Sequence, residues 1–231
     1  MNSEQLTKMI PFFDSVTLAS VERLRSASDV RTLAKGATVW REGDDGRDFY
    51  FVLRGRAKLT KAMDSGRDAI MELMEPGNLM CASVPCARAA FCCSAVALDD
   101  GIEVLKVPGE QLMSLMDGDP SVAASLIDEL SRRGVNSCER VEELSNGRVE
   151  QRIARLLLKL AERGGVELDG GIWVAMPLSR QDLADLCNTT IESASRTVSR
   201  WSSKNILKAN TRGFLILDVP ELEVAARGPS F

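Results

Sequence analysis

Residues 177–207 constrain the fold more than any other stretch, because they predict two short helices joined by a tight turn. Ser179 is a suitable N-cap for the first helix, since its hydroxyl can accept a hydrogen bond from a free amide of the first turn. Asn188 ends that helix, because asparagine tolerates the left-handed backbone that a sharp turn needs. The apolar residues of the first helix form a narrow stripe of Leu183, Ala184 and Leu186.

The second helix has one apolar and one polar face. Thr189 or Thr190 can cap it, and Ile191, Ala194, Val198 and Trp201 then recur at spacings of three and four. Polar side chains of the pair could reach base edges and phosphates if the second helix lay in a major groove. These candidate DNA-binding residues are Ser179, Arg180, Gln181, Thr189, Thr190, Glu192, Ser193, Ser195, Arg196, Ser199, Arg200 and Lys204.

The motif Glu192-x-x-Ser195-Arg196, which follows Leu-Cys-Asn-Thr-Thr at residues 186–190, resembles the recognition helix of the Crp/Fnr family of transcription regulators. An ordinary amphipathic helix pair whose polar face meets only water is the alternative for this segment alone. The resemblance extends over about residues 6–220 and therefore favours the DNA-binding interpretation.

Composition limits the possible classes of protein. A chain of 231 residues with 45% hydrophobic residues can bury a core and is expected to form two domains. It has no apolar run long enough to cross a membrane and no signal-peptide pattern near Met1, so we expect a cytoplasmic protein without a membrane partner. The chain has no histidine, which excludes His-ligated haem and removes the most frequent general base, and no enzyme activity is predicted.

Short β-type runs separated by glycine turns occupy residues 31–108. Runs at 38–40, 49–53, 57–59, 69–73, 94–98 and 102–107 predict an antiparallel sandwich or barrel. Residues 35–44 and 49–59 resemble the start of the family's cyclic-nucleotide-binding-type β-roll, because glycines stand at several turns in the matching register.

A helix at 110–117 and a long helix from Pro120 to about Ser145 follow the predicted strands. A helix this long needs a cover for its second face, and a second copy of the chain in a parallel coiled coil would provide one. The sequence therefore predicts a homodimer. The predicted dimer seam consists of Leu126, Leu130, Ser137, Val141 and Leu144.

A helix at 151–163 and strands at 172–176 and 213–217 flank the helix pair and predict a winged helix-turn-helix, with a loose tail from Ala225 to Phe231. The predicted fold class is α+β. It comprises N-terminal helices and an antiparallel, jelly-roll-like β-roll sensor domain (1–117), a long dimerisation helix (118–146) and a C-terminal winged helix-turn-helix domain (147–231).

The effector region departs from the cyclic-nucleotide-binding pattern. Members of the family that bind cyclic nucleotides carry a Gly-Glu pair and, further on, an Arg-Ser or Arg-Thr pair whose arginine meets the phosphate. Here Cys81 and Ala82 stand at the first pair, Cys92-Cys93-Ser94 stand near the second, and Arg88 is out of register. Cyclic AMP is therefore disfavoured.

Cysteines replace those groups. Cys81, Cys86, Cys92 and Cys93, together with Cys138 on the long helix, are candidate ligands for an iron–sulfur cluster or a soft metal ion. Two other interpretations stay open: a thiol-based redox or electrophile switch, and plain core packing in an effector pocket that has lost its ligand. Cys187, on the apolar side of the first helix of the pair, is predicted to be core.

The predicted function is that of a dimeric, sequence-specific transcription regulator of the Crp/Fnr type with a cysteine-based signal. The resemblance implies a palindromic operator on double-stranded DNA close to TTGAT-N4-ATCAA, with RNA polymerase as a further partner. The alternative is a regulator without a bound cofactor, which either binds DNA constitutively or senses an unidentified small ligand.

Overall fold

The computed structural model describes residues 2–64, 66, 68–81, 86–87, 89–168 and 170–227. Its contacts divide the chain into two compact units, Met1–Ser137 and Cys138–Phe231. The first unit opens with helix α1 (Ser3–Met9), a 3₁₀ turn (Pro11–Phe13) and helix α2 (Leu18–Ala27). Asn2 and Thr17 cap the two α-helices by accepting hydrogen bonds from backbone amides of the first turn.

Two four-stranded antiparallel sheets follow. Their strands are β1 (Asp29–Leu33), β2 (Thr38–Trp40), β3 (Phe49–Arg54), β4 (Ala57–Ala62), β5 (Asp68–Met74), β6 (Leu79–Met80), β7 (Ser94–Ala97) and β8 (Ile102–Val107). One sheet has the order β1-β8-β3-β6 and the other has the order β2-β7-β4-β5. The predicted β-roll and its six strands are thus confirmed. Strands β1 and β6 were not predicted. The side chains of β1 are mostly exposed and show no apolar alternation, and β6 has only two residues.

Strand β3 separates two hydrophobic cores. Alternate side chains of a strand point to opposite faces, so Phe49, Phe51 and Leu53 pack against the helices while Tyr50 and Val52 face the second sheet. Gly77 closes the turn before β6 with φ +90°, and a Cβ there would lie 2.8 Å from the carbonyl oxygen of Met9. Glycine is therefore required where the chain enters β6.

Helices α3 (Gly109–Gly118) and α4 (Pro120–Ser145) confirm the predicted short and long helices. The predicted seam on α4 needs a correction at its start. Leu126 is 5% exposed inside the core formed with α1, α2 and strand β3, and Leu130 packs against the same core. These two side chains are covered by their own chain and do not require a second copy.

A different stripe of α4 is exposed. Ile127 and Val141 are both 65% exposed, and exposed residues between and around them recur at alternating spacings of three and four. We name this set the exposed stripe, and it consists of Ala124, Ile127, Ser131, Gly134, Cys138, Val141 and Ser145. Of the remaining predicted seam residues, Ser137 is exposed and donates to the carbonyl oxygen of Arg133 at 2.8 Å, whereas Leu144 is only partly exposed.

The second unit contains helix α5 (Val149–Gly164), strands β9 (Gly165–Leu168) and β10 (Gly171–Val174), helices α6 (Arg180–Leu186) and α7 (Ile191–Ser203), strands β11 (Leu207–Asn210) and β12 (Gly213–Ile216), and helix α8 (Val219–Arg227). Its sheet has the order β11-β12-β10-β9. The prediction of a loose tail from Ala225 was wrong for residues 225–227, because they belong to α8, in which Leu222 and Ala226 are buried. The helices that the structure describes include none long and apolar enough to cross a membrane.

Candidate nucleic-acid interface and thiol cluster

Helices α6 and α7 are delimited by the caps that the sequence predicts. Ser179 accepts from the amide of Asp182 at 3.0 Å, and the carboxylate of Asp182 accepts from the amide of Ser179 at 2.8 Å, which completes a capping box. Asn188 has φ +45° in the turn, and Thr190 caps α7 by accepting from the amide of Ser193 at 3.2 Å. Side-chain caps therefore fix where both helices begin.

One face of α7 packs into the second unit. Its buried residues are Ala194, Thr197, Val198 and Trp201, while Ile191 at the start is 40% exposed. The predicted core position of Cys187 is confirmed, since the side chain is 2% exposed. Burial raises the pKa of the Cys187 thiol to about 12, so the thiol is neutral at physiological pH.

The opposite face of α7 is polar and exposed. Glu192, Arg196 and Ser199 follow one another at spacings of four and three and lie on one face, with the partly exposed Ser195 beside them. The Glu192 carboxylate accepts from its own backbone amide and from the Thr190 side chain, and both contacts lower its pKa. Glu192 is therefore ionised at neutral pH and acts only as a hydrogen-bond acceptor.

Most of the other candidate DNA-binding residues flank this face. Gln181 is exposed and donates to Asp185 at 2.7 Å, and Lys204 is exposed at the end of α7. Arg180 is only partly exposed, and Thr189 is partly exposed within the turn. Arg200 forms a 2.6 Å ion pair with Glu150 of α5, which holds its guanidinium toward the domain itself.

Two arginines missed by the sequence analysis support the turn between α6 and α7. Arg152 donates to the carbonyl oxygen of Cys187 at 2.9 Å, and Arg140 donates to the carbonyl oxygen of Leu186. Both contacts satisfy carbonyl groups at the end of α6 that have no intrahelical partner. The sequence places these arginines on other helices but does not show which carbonyl groups they contact.

Two further basic residues lie on the wing and were also missed. Lys208 and Arg212 are exposed at and beside the β11–β12 hairpin. The tip is held by Asn210, whose side chain accepts from the amides of Arg212 at 2.8 Å and Gly213 at 3.1 Å. A rigid hairpin with exposed cations is suited to phosphate contacts.

Cys81 and Cys93 meet in the core between the two sheets of the first unit. Their sulfur atoms are 3.6 Å apart, and the residues are 7% and 5% exposed. Contact with the Cys81 thiol, followed by burial, raises the pKa of the Cys93 thiol far above its usual range. Cys81 leaves β6 with φ +47°, and the indole of Trp40 donates to the carbonyl oxygen of Cys93 at 2.9 Å.

The other candidate cysteines lie in environments that differ from that of this pair. Cys92 is exposed, whereas its neighbour Cys93 is buried. Cys86 packs against the helix-side core, and Cys138 is exposed on α4 in the second unit. Among the described residues, no group of three or more His, Cys, Asp and Glu side chains is arranged to hold a metal ion. The arrangement therefore does not fit a four-thiolate cluster. Ala82 and Arg88, named above for the effector region, lie outside the described residues.

Arg133 connects α4 with the strand that leads to Cys81. Its guanidinium donates to Glu129 at 2.8 Å and to the carbonyl oxygen of Leu79, and it lies 3.3 Å from the Glu72 carboxylate. Glu129 is 8% exposed and holds the Arg133 guanidinium, which joins the helix to the β-roll. Neither residue was predicted, because the periodic signal along α4 comes from its apolar residues.

Comparison with known proteins agrees with this architecture. A model of the cyclic nucleotide-binding domain matches residues 30–119, and a model of the Crp-like helix-turn-helix domain matches residues 151–225. The CRP-like cAMP-activated global transcriptional regulator of Mycobacterium tuberculosis is 22% identical over 93% of this chain and 96% of that protein. The nitrogen fixation regulation protein FixK of Bradyrhizobium diazoefficiens is 27% identical over 84% of this chain and 80% of that protein.

Solved structures share the fold. FixK2 from Bradyrhizobium japonicum superimposes with a TM-score of 0.75 at 21% identity, covering 88% of this chain and 99% of that one. A CRP-family transcriptional regulator from Thermus thermophilus gives a TM-score of 0.74 at 21% identity, covering 86% and 97%. A β-roll followed by a long helix and a winged helix-turn-helix defines a class of DNA-binding transcription regulators rather than enzymes. The chain belongs to the Crp/Fnr family.

Proposed function

We propose that two copies of this chain bind an inverted repeat close to TTGAT-N4-ATCAA and regulate transcription in response to a cysteine-based signal. The observation that carries the DNA-binding part is the exposed polar face of α7, which presents Glu192 and Arg196 one helical turn apart. The caps at Ser179 and Thr190 hold this face rigidly.

The two charged side chains suit complementary parts of a base-pair edge. Arg196 can donate in a fork to O6 and N7 of guanine, and the ionised Glu192 can accept from a cytosine or adenine amino group. Ser195 can pack beside a thymine methyl group. Arg180 and Lys204 are assigned to phosphates, because both lie at helix ends beside this face. RNA polymerase is the further partner expected from the family.

The dimer is proposed to form through the exposed stripe of α4. The stripe alternates at spacings of three and four, as the seam of a two-stranded coiled coil does, and Ile127 and Val141 are its large apolar members. Gly134 and Ser131 between them allow two helix backbones to approach closely. A two-fold dimer places two copies of α7 about one helical turn of DNA apart, which explains an inverted repeat.

A cysteine-based signal is supported by the Cys81–Cys93 contact in the region where cyclic nucleotide binders hold their ligand. A second candidate is a regulator that needs no cofactor. The observation that favours it is the packing of apolar side chains between the sheets, where Trp40 stacks on Phe91 with ring centroids 4.3 Å apart and Cys81 and Cys93 belong to the same core.

Selection of binding sites from random double-stranded DNA by the full-length reduced protein tests the proposal. An enriched inverted repeat with a guanine in each half-site supports it. Recovery of no inverted repeat, or of one whose guanine preference survives Arg196→Ala, contradicts it. An absorption spectrum of protein purified without oxygen separates a chromophoric cluster from a protein that carries thiols only.

A further inference from the structure

Three thiols of the first unit form a continuous series from the surface to the core. Cys92 is exposed, the next residue Cys93 is buried, and Cys81 lies 3.6 Å beyond Cys93 inside the inter-sheet core. A disulfide requires a sulfur–sulfur distance of about 2.0 Å, so closing the Cys81–Cys93 contact needs a movement of roughly 1.5 Å.

The three thiols differ in solvent exposure and therefore in reactivity. Cys93 is buried and neutral, and a buried neutral thiol is a slow nucleophile. Cys92 is open to solvent, and its carbonyl oxygen accepts from Lys61 Nζ at 2.9 Å, which brings a cation beside it. Lys61 is itself paired with Glu42 at 2.6 Å, and burial still raises the pKa of Cys92. An oxidant can therefore reach the Cys92 thiol but reacts with it slowly, which suits a response to sustained oxidant exposure.

We propose that Cys92, Cys93 and Cys81 act as a thiol relay through which a hydroperoxide closes a reversible Cys81–Cys93 disulfide. The hydroperoxide oxidises the Cys92 thiol to a sulfenic acid and leaves as the alcohol, or as water from hydrogen peroxide. The Cys93 sulfur attacks the Cys92 sulfur and water departs. The Cys81 sulfur then attacks the Cys93 sulfur, and Cys92 leaves as a thiol. In total, two thiols and one hydroperoxide give one disulfide, one alcohol and one water.

The last exchange is favoured by geometry. A disulfide between neighbouring residues closes a small ring that includes the peptide bond and strains it, whereas the Cys81–Cys93 bond joins two separate segments of the β-roll. Cys93 is anchored by the Trp40 indole, so Cys81 is the partner that moves.

Movement at Cys81 is transmitted to α4 through Arg133. Leu79, whose carbonyl oxygen accepts from Arg133, lies two residues before Cys81, and Glu129 holds Arg133 on the helix. A shift of β6 therefore acts on a helix residue that is paired with the buried Glu129. This effect on DNA binding rests on the proposed function, whereas formation of the disulfide does not.

Peptide mapping of the full chain tests the relay. Reduced protein is exposed to hydrogen peroxide, alkylated and digested with trypsin without reduction. Cleavage after Arg67, Arg88 and Lys106 separates Cys81 and Cys86 (residues 68–88) from Cys92 and Cys93 (residues 89–106). We expect these two peptides to be joined, with fragmentation locating the bond at Cys81 and Cys93 and with reductant reversing it. Full alkylation of Cys81 and Cys93 after Cys92 has been oxidised overturns the proposal.

Variants separate the roles of the three thiols. Cys81→Ser and Cys93→Ser should abolish the joined peptides, whereas Cys92→Ser should slow their formation at the same peroxide concentration. Cys138→Ser, an exposed thiol outside the series, and Cys86→Ser, in the same tryptic peptide as Cys81, should leave the bond unchanged. Equal rates in Cys92→Ser and the parent would remove Cys92 from the relay. The peptide map of the parent protein tests disulfide formation even if a variant fails to fold.

Binding to the selected operator is then compared before and after oxidation, in the parent and in Arg133→Met. We expect oxidation to change the affinity of the parent but not that of Arg133→Met, while both form the disulfide. Unchanged parent affinity overturns the coupling through Arg133. If the reduced parent selects no inverted repeat, the proposed function fails. If it selects one but forms no Cys81–Cys93 bond, only the relay fails.

Discussion

The guanidinium Nε of Arg152 donates a 2.9 Å hydrogen bond to the carbonyl oxygen of Cys187, the residue that ends α6. A terminal NH2 of the same guanidinium reaches the carbonyl oxygen of Asn188 at 3.4 Å. One side chain from α5 thus fixes the turn that orients the recognition helix. The turn depends on a residue about thirty-five positions earlier in the chain.

Replacing Arg152 should destabilise the second unit. Arg152→Met keeps most of the aliphatic contact but leaves the carbonyl groups of Cys187 and Asn188 without this donor, at a cost of about 1–3 kcal/mol. Urea unfolding followed by tryptophan fluorescence measures the change. Arg163→Met, at an exposed position near the end of the same helix, is the matched control and should change little. Equal effects of both variants would show that the contact to the turn is not responsible.

The exposed stripe predicts which substitutions dissociate the dimer. Ile127→Asp and Val141→Asp would each place an unpaired charge in the seam and weaken association by several kcal/mol. Sedimentation velocity should show monomers with unchanged secondary structure. Asn136→Asp adds the same charge on another face of α4 and should remain dimeric. Leu126→Asp should unfold the first unit instead, because Leu126 is buried in its own core. Persistent dimers in both stripe variants would contradict the assignment.

Binding measurements should distinguish the residue that contacts bases from the residues that contact phosphates. Arg196→Ala should cost roughly 1–3 kcal/mol and relax the preference at the guanine. Lys204→Ala and Arg180→Ala should weaken all sequences alike and reduce the slope of log affinity against log salt by about one. Titrations of a selected operator and of its guanine-substituted form at several salt concentrations distinguish the two patterns. Loss of discrimination in Lys204→Ala would contradict the division of roles.

The hydrogen bonds of the Asp119 carboxylate predict that the protein loses stability in acid. Its carboxylate accepts from Thr17 and Ser20 at 2.6 Å each and from the Ser121 amide at 3.1 Å, so it joins α2 to the start of α4. These bonds, the Ser121 hydroxyl foremost, lower its pKa well below the ordinary value of 3.8. A lowered pKa means that the ionised form stabilises the fold. This contribution is complete above about pH 5 and is lost as the pH falls below 4.

Urea unfolding of the parent and of Asp119→Asn between pH 7 and pH 3 measures this contribution. The two free energies of unfolding should differ most at neutral pH and approach one another in acid. Asp14→Asn, at an exposed position in the same unit, should follow the parent at every pH. A difference between the parent and Asp119→Asn that grows toward acid would contradict the role of the ionised carboxylate.

The sequence determined the local elements whose signals lie within a few residues of one another. Ser179, Asn188 and Thr190 delimit α6 and α7 because capping and left-handed turn conformations depend on local backbone chemistry. Six of the eight strands of the β-roll were predicted for the same reason, since apolar runs between glycine turns are local patterns. The polar strand β1 lacked such a pattern and emerged only through its pairing with β8.

Tertiary structure decided which side chains meet. The long helix carries two apolar sets, and only packing shows that Leu126 and Leu130 belong to the first unit's own core while Ile127 and Val141 stay exposed. The cysteines gave no indication that Cys81 would lie against Cys93 rather than Cys86, because that contact depends on how β6 and the segment before β7 face each other across the core. Contacts between distant segments are set by packing, which periodicity along the chain does not encode.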